Sequence, residues 1–164
     1  MSNNMSSASK TATAAKNGAI QLLTFRLEDQ EYALNIKNVV QVVRMVAVTH
    51  APKTSDELEG MINLRGKIIP VVDLRKRCGL SAKPHDLNTQ LLIAQDNGHM
   101  VALAVDVVSE VLVMPSGNIE PTGTIGAELE FLSAVGKLGD RLILILDPAQ
   151  VLKEANGVMA KNPN

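Results

Sequence analysis

Asp106 stands inside the apolar run that begins at Val101. A carboxylate among valines and alanines is costly unless it is paired or hydrogen-bonded. It reads either as a strand-end or bulge residue bonded to backbone, or as a catalytic acid. The second reading needs a catalytic partner, and no neighbour in sequence supplies one. Cys78 is the only cysteine, which excludes an internal disulfide and a cysteine-cluster metal site. Lys76 and Arg77 just before it would favour the thiolate. A position where a short helix packs would instead make it a small buried hydrophobe. His50, His85 and His99 are far apart without metal-ligand spacing, so they read as loop histidines and no metal site is expected.

Other signatures of chemistry fail on their spacing. Gly60 and Gly66-Lys67-Ile68 approach a phosphate loop, but five residues separate the glycines where four are required, and Ile68 replaces the metal-binding hydroxyl. A turn between strands accounts for them. Ser109 and Ser116 lie in no nucleophile elbow. Gly123-Thr124-Ile125-Gly126 lacks the basic residues and helical flanks of an RNA clamp. The pairs Glu57/Glu59 and Glu128/Glu130 read as solvated acids. What remains is a basic cluster of Arg65, Lys67, Arg75, Lys76 and Arg77, interrupted only by Asp73. It is either solvated charge or a docking patch for an acidic surface, with arginine as the preferred anchor.

The elements that would position these residues are mostly short strands. Ile20–Leu27 and Tyr32–Ile36 form a hairpin around a four-residue connection, Glu28 to Glu31. Val39 to Val48 is rich in β-branched residues. Ser55 to Leu58 can make one capped helical turn. Arg65-Gly66 is a turn between two strands, and it holds Arg65 at an exposed tip. Pro70 requires an edge or a bulge. Asp73 caps a short helix, Leu74 to Cys78, that Gly79 ends. Asn97-Gly98 between apolar runs is a strong hairpin signal. Val107–Met114 is a strand, residues 115–130 a loop, and Phe131–Leu138 with Arg141–Leu146 a last hairpin. Asp147-Pro148 opens a helix. Some ten short strands indicate barrels or a sandwich. Leu142–Leu146 and Val101–Val105 are apolar on both faces, so each must lie between two packed layers. Two small barrels sharing a buried middle satisfy this better than one open sheet, although no sequence repeat is evident.

Composition narrows the function further. The 164 residues are 46 % apolar and 20 % charged, and the only aromatics are Phe25, Tyr32 and Phe131. Aromatic base stacking and, with a net charge of −1, general nucleic-acid binding are disfavoured. Residues 1–18 read as a flexible polar leader without the apolar block of a signal peptide, 19–153 as the folded domain and 154–164 as a tail. No apolar run approaches the roughly 20 residues of a membrane-spanning helix, and a soluble cytoplasmic protein is expected.

The run Gly60-Met61-Ile62-Asn63-Leu64-Arg65-Gly66-Lys67-Ile68-Ile69-Pro70-Val71-Val72-Asp73-Leu74-Arg75 resembles the CheW family of bacterial chemotaxis coupling proteins. So do Glu31-Tyr32-Ala33-Leu34, the run from Ala104 to Val111 and the closing hairpin from Gly136 to Asp147. The resemblance implies a mainly β fold of two SH3-like five-stranded barrels sharing a hydrophobic middle, with a few short helices. It implies a non-catalytic scaffold, with no cofactor, that couples chemoreceptor cytoplasmic tips to the regulatory domain of the CheA histidine kinase. By motif position it puts receptor contact at Ile36, Val39, Asn63, Arg65 and Val108, and leaves the kinase-facing residues unassigned. Gln41 stands where many relatives carry an acid. The alternative is a double barrel that binds a small ligand in the apolar space between its halves, which requires an open cavity there.

Overall fold

The computed structural model describes residues 18–49, 58–81, 85–86, 88–122 and 131–152. Strands β1 (Ala19–Leu27), β2 (Gln30–Asn35), β3 (Val39–Arg44), β4 (Leu58–Leu64), β5 (Lys67–Asp73) and β6 (Gln90–Asp96) are followed by β7 (His99–Val105), β8 (Val107–Pro115), β9 (Ile119–Pro121), β10 (Leu132–Leu138) and β11 (Arg141–Leu146). Two one-turn helices, α1 (Leu74–Arg77) and α2 (Pro148–Val151), follow β5 and β11. The strands form two bodies: a six-stranded sheet ordered β8-β1-β2-β11-β10-β9 and a five-stranded sheet ordered β3-β6-β7-β5-β4. This matches the expected mainly β, double-barrel design, with three-residue β9 as an additional strand in the first sheet.

Three cores explain why several strands are apolar on both faces. In β6, Leu91 and Ile93 pack inside the five-stranded body, while Leu92 and Ala94 face a middle core shared with the other sheet. In β7, Ala102 and Ala104 point one way, and Val101, Leu103 and Val105 the other. In the first sheet, Leu22, Ala33 and Ile145 line its own interior, while Leu23, Tyr32, Leu34 and Leu146 join the middle core. Each alternation is the two-residue period of a strand buried on both sides. Phe25 and Tyr32, opposite each other on β1 and β2, stack in the middle with ring centroids 6.0 Å apart. Side chains from both sheets fill this space. The apolar cavity that a ligand-binding barrel would need there is occupied by packing.

A repeat absent from the sequence is present in the topology. The order β3-β6-β7-β5-β4 becomes β8-β1-β2-β11-β10 when each strand is exchanged for its counterpart in the other body. Each body contains one parallel pair, β5 with β7 and β11 with β2. At the end of β5 and just after β11 an aspartate, Asp73 or Asp147, caps a one-turn helix through its side chain. Thr49, bridged to Met61 on β4, occupies the place that β9 holds against β10.

Several local expectations change. The first hairpin turns in two residues instead of four, because Glu28 adopts φ 57° and pairing resumes at Gln30. Pro70 lies in an interior strand, but the ladder to β7 begins only at Val71, so Pro70 sits outside it. Residues 115–122 are ordered: β8 continues through Pro115, a 3₁₀ turn spans Ser116–Asn118, and β9 follows. Gly18, assigned to the leader, already accepts a hydrogen bond from the Ser116 N–H at 2.9 Å. The rest of the leader, His50, the first three residues of the turn expected at Ser55–Leu58, residues 123–130 and the tail lie outside the described residues, and Leu58 itself begins β4 instead of ending a helical turn.

Candidate functional site

The chain crosses between the two bodies at short joints, and three of the expected docking residues sit there. Asn35 ends β2 and caps a 3₁₀ turn, Ile36–Asn38, by accepting the Lys37 N–H on its side chain. Val39 then begins β3 in the other sheet. The return crossing from β7 to β8 uses one residue, Asp106, and Val108 follows it. Ile36, Val39 and Val108 are all half-buried and pack on the rim of the middle core. The joints are fixed by side-chain bonds. Asn38 Nδ2 donates to the Gln95 carbonyl at 2.9 Å, and the Val108 N–H donates to Gln90 Oε1 at 2.7 Å.

Asn63 and Arg65 lie apart from these aliphatics, at the β4–β5 hairpin. Both central turn residues have positive φ, 54° at Arg65 and 86° at Gly66, as a tight turn compatible with strand twist demands. Asn63 Oδ1 accepts the Gly66 N–H at 2.9 Å, so its side chain braces the turn. Arg65 is exposed in a conformation that a β-carbon disfavours. Neither Arg65 nor Lys67 has an ion-pair partner among the described residues. Beside the tip runs a cleft of about 210 Å³ lined by Val40, Gln41, Leu64, Arg65, Lys67, Ile69 and Met100. Strand β3 therefore links the two groups: Val39 turns to the middle core, and Val40 and Gln41 face the cleft.

The basic cluster is not one patch. Arg75 is buried: Nη1 donates to Asp106 Oδ2 at 3.0 Å, Nε to the Ser81 carbonyl at 2.9 Å, and Nη2 to Glu28 Oε2. Lys76 lies 3.8 Å from Glu59, and the Arg77 guanidinium sits 5.7 Å from the Phe131 ring centre. Only Arg65 and Lys67 remain as outward cations of the cluster. Helix α1 ends in paired backbone bonds, Leu80 N–H to Arg75 C=O at 2.7 Å and Gly79 N–H to Lys76 C=O at 3.1 Å, with Gly79 at φ 79°.

Asp106 has the backbone-bonded, strand-end role, with Arg75 as an added partner. Its Oδ2 also accepts the Glu28 N–H at 2.8 Å. Cys78 is the structural alternative as well: burial pushes its thiol up to about 12, against the opposing effect of Arg77, and it packs on the middle core. Tyr32 beside it is likewise pushed up to about 12 by burial first and by Cys78 second. A thiol held protonated is a poor nucleophile.

A CheW-like domain model matches residues 21–156. The chain belongs to the CheW-like family. Similar proteins include the chemotaxis protein CheW of Rhizobium meliloti, 32 % identical over 87 % of this chain and 92 % of that one. CheW of Helicobacter pylori is 29 % identical over 82 % of each. The crystal structure of the scaffolding protein TtCheW from Thermoanaerobacter tengcongensis superposes with a TM-score of 0.73 at 35 % identity, covering 79 % of this chain and 89 % of that chain. Membership of this family makes the chain a chemotaxis coupling scaffold rather than a catalyst. Among the described residues no helix is long and apolar enough to cross a membrane.

Proposed function

We propose that the chain couples the cytoplasmic tips of methyl-accepting chemoreceptors to the regulatory domain of a CheA-type histidine kinase. The observation that carries the receptor side is Arg65: exposed, braced by Asn63 at a tight turn, and without an ion-pair partner among the described residues. Backbone strain persists where a fold over-determines it, and functional sites are where it concentrates. Glu28, the comparable residue at φ 57°, has its N–H bound by Asp106 and its carboxylate by Arg75, which accounts for it internally. The backbone of Arg65 is set by its turn, but its guanidinium has no ion-pair partner among the described residues, and recognition of an acidic or amide-bearing receptor surface supplies one.

In this reading a receptor helix lays its apolar stripe along Ile36, Val39 and Val108 and meets Arg65 at its end. Gln41 lines the same cleft as Arg65. With an amide where many relatives carry an acid, no acidic residue among the described lining opposes Arg65 in the cleft, which favours a more acidic receptor tip. The chain would act in the cytoplasm and reach the inner membrane only through its partners in the receptor array.

The test is a pull-down of the wild type, Arg65→Ala and Val39→Ala with the kinase regulatory domain and with a receptor tip fragment, each variant checked by thermal melt. Wild type is expected to bind both, and the folded variants to lose receptor while keeping kinase. A folded wild type that binds neither partner refutes the coupling role. Folded variants that keep full receptor binding refute the site.

A further inference from the structure

Glu59 on β4, Asp73 at the end of β5 and His85 converge on the side of the five-stranded body away from the Arg65 hairpin. Their potential ligand atoms all lie within 4.8 Å of one another. This is not a solvated acidic cluster: Asp73 is buried, and the side chains of Glu59 and His85 are only 17 % and 19 % exposed. Two carboxylates are thus withdrawn from water, with the Lys76 ammonium 3.8 Å from Glu59.

We propose that Glu59, Asp73 and His85 form a binding site for a divalent transition-metal cation, Zn²⁺ by preference. One imidazole nitrogen with two carboxylate oxygens is a borderline donor set that suits Zn²⁺ better than Mg²⁺ or Ca²⁺. With metal–ligand bonds of roughly 2.0–2.2 Å, a tetrahedral site places its ligand atoms about 3.4 Å apart. His85 Nε2 and Glu59 Oε1 are already 3.7 Å apart, so small side-chain rotations close the set. Asp73 Oδ1 accepts the Arg75 N–H at 3.0 Å, which orients the carboxylate as outer-shell partners do in metal sites. Asp73 and His85 also border a cavity of about 10 Å³ with Thr89, room for one water as the fourth ligand. Binding ties β4, the start of α1 and the segment carrying His85 into one unit, and releases Lys76 from Glu59.

The experiment is calorimetric titration of ZnCl₂ into the full chain freed of metal by a chelator, with a thermal melt of the same samples. One Zn²⁺ per chain and a rise in melting temperature of about 5 °C near saturation are expected, with no response to Mg²⁺ or Ca²⁺. His85→Ala and Glu59→Gln should each weaken binding at least about tenfold. Lys76→Met should tighten it, because a competing cation is gone; a purely structural Glu59–Lys76 pair predicts no such gain. His99→Ala, at the exposed start of β7, should bind as wild type does. Absence of Zn²⁺ binding by the folded wild type overturns the proposal, as does unchanged affinity in folded His85→Ala. Loss of binding in His99→Ala would assign the metal to another surface and overturn it too.

Discussion

Arg75→Met tests the joint between the two bodies. The arginine side chain is 7 % exposed and spends its donors on Asp106, Glu28 and the Ser81 carbonyl. Methionine keeps most of the apolar stem and deletes those three bonds. The losses are unequal. Glu28 is half-exposed and Ser81 exposed, so water replaces the guanidinium there at little cost. Asp106 is 19 % exposed and retains only part of its solvation together with the Glu28 N–H. Stripping a buried carboxylate of its cation costs about 3–5 kcal/mol when nothing else compensates. The surviving N–H bond and the partial exposure put this case near the low end, about 2–3 kcal/mol. Equilibrium urea unfolding followed by circular dichroism reads this as a lower midpoint at unchanged slope. In the double-mutant cycle, Asp106→Asn should recover about 1–2 kcal/mol on the Arg75→Met background, since it removes the orphaned charge. A loss below about 1 kcal/mol, or strict additivity of the two substitutions, would refute the reasoning.

Two glycines should respond oppositely to alanine. At Gly60, φ is +153° and a β-carbon would stand 2.3 Å from the Thr49 carbonyl oxygen, which itself accepts the Met61 N–H, so Gly60→Ala should cost about 3 kcal/mol in the same unfolding assay. At Gly136 the obstacle is the flexible end of Met114, 2.7 Å away, and the cost should be about 1 kcal/mol; equal costs would show that backbone geometry is not what sets them. Glu31 accepts two bonds from Arg141, Nε at 3.0 Å and Nη2 at 2.8 Å, and these hold its carboxyl below the usual 4.5. A lowered folded-state value means the contribution is full above pH 4.5 and is lost as pH falls through that lower value. Glu31→Gln should therefore cost about 1 kcal/mol at pH 7, Arg141 being 39 % exposed, and the difference from wild type should close in acid; a gap independent of pH would contradict the pairing.

The parts of this fold that local chemistry dictates were legible in sequence. Asn97-Gly98 turns with φ of 53° and 81°, Arg65-Gly66 turns as its glycine requires, and Asp73 and Asp147 cap their helices. Runs apolar at consecutive positions imply two packed layers, and the three cores are those layers, with Leu142 in β11 the exception at 53 % exposed. What sequence concealed depends on tertiary approach. Arg75 sits between cations on α1, yet its partners lie 31 and 47 residues away, so its charge looked external. Glu59, Asp73 and His85 obey no ligand spacing because three separate segments bring them together. Glu28 shortened its turn because Asp106, 78 residues on, binds its N–H.

The position of Asp106 connects stability to coupling. It is the single residue between β7 in one sheet and β8 in the other. Its N–H donates to the Arg26 carbonyl on β1 at 3.2 Å, and its carboxylate holds both the β1–β2 turn and Arg75 on α1. One side chain thus ties both sheets and a helix at the crossing. Val108 stands two residues beyond it, and Ile36 and Val39 flank the other crossing. A helix docked on these aliphatics would touch both places where the chain changes bodies, so the relative set of the two bodies is what such a partner would sense. A scaffold that passes a signal without chemistry needs that set to be stiff, because a compliant joint would absorb the displacement instead of transmitting it. The buried ion pair is a costly way to gain stability but a sound way to fix one geometry at a hinge. On this argument Arg75→Met should impair coupling in receptor–kinase assemblies at temperatures where the variant remains folded, even though Arg75 lies beneath the surface.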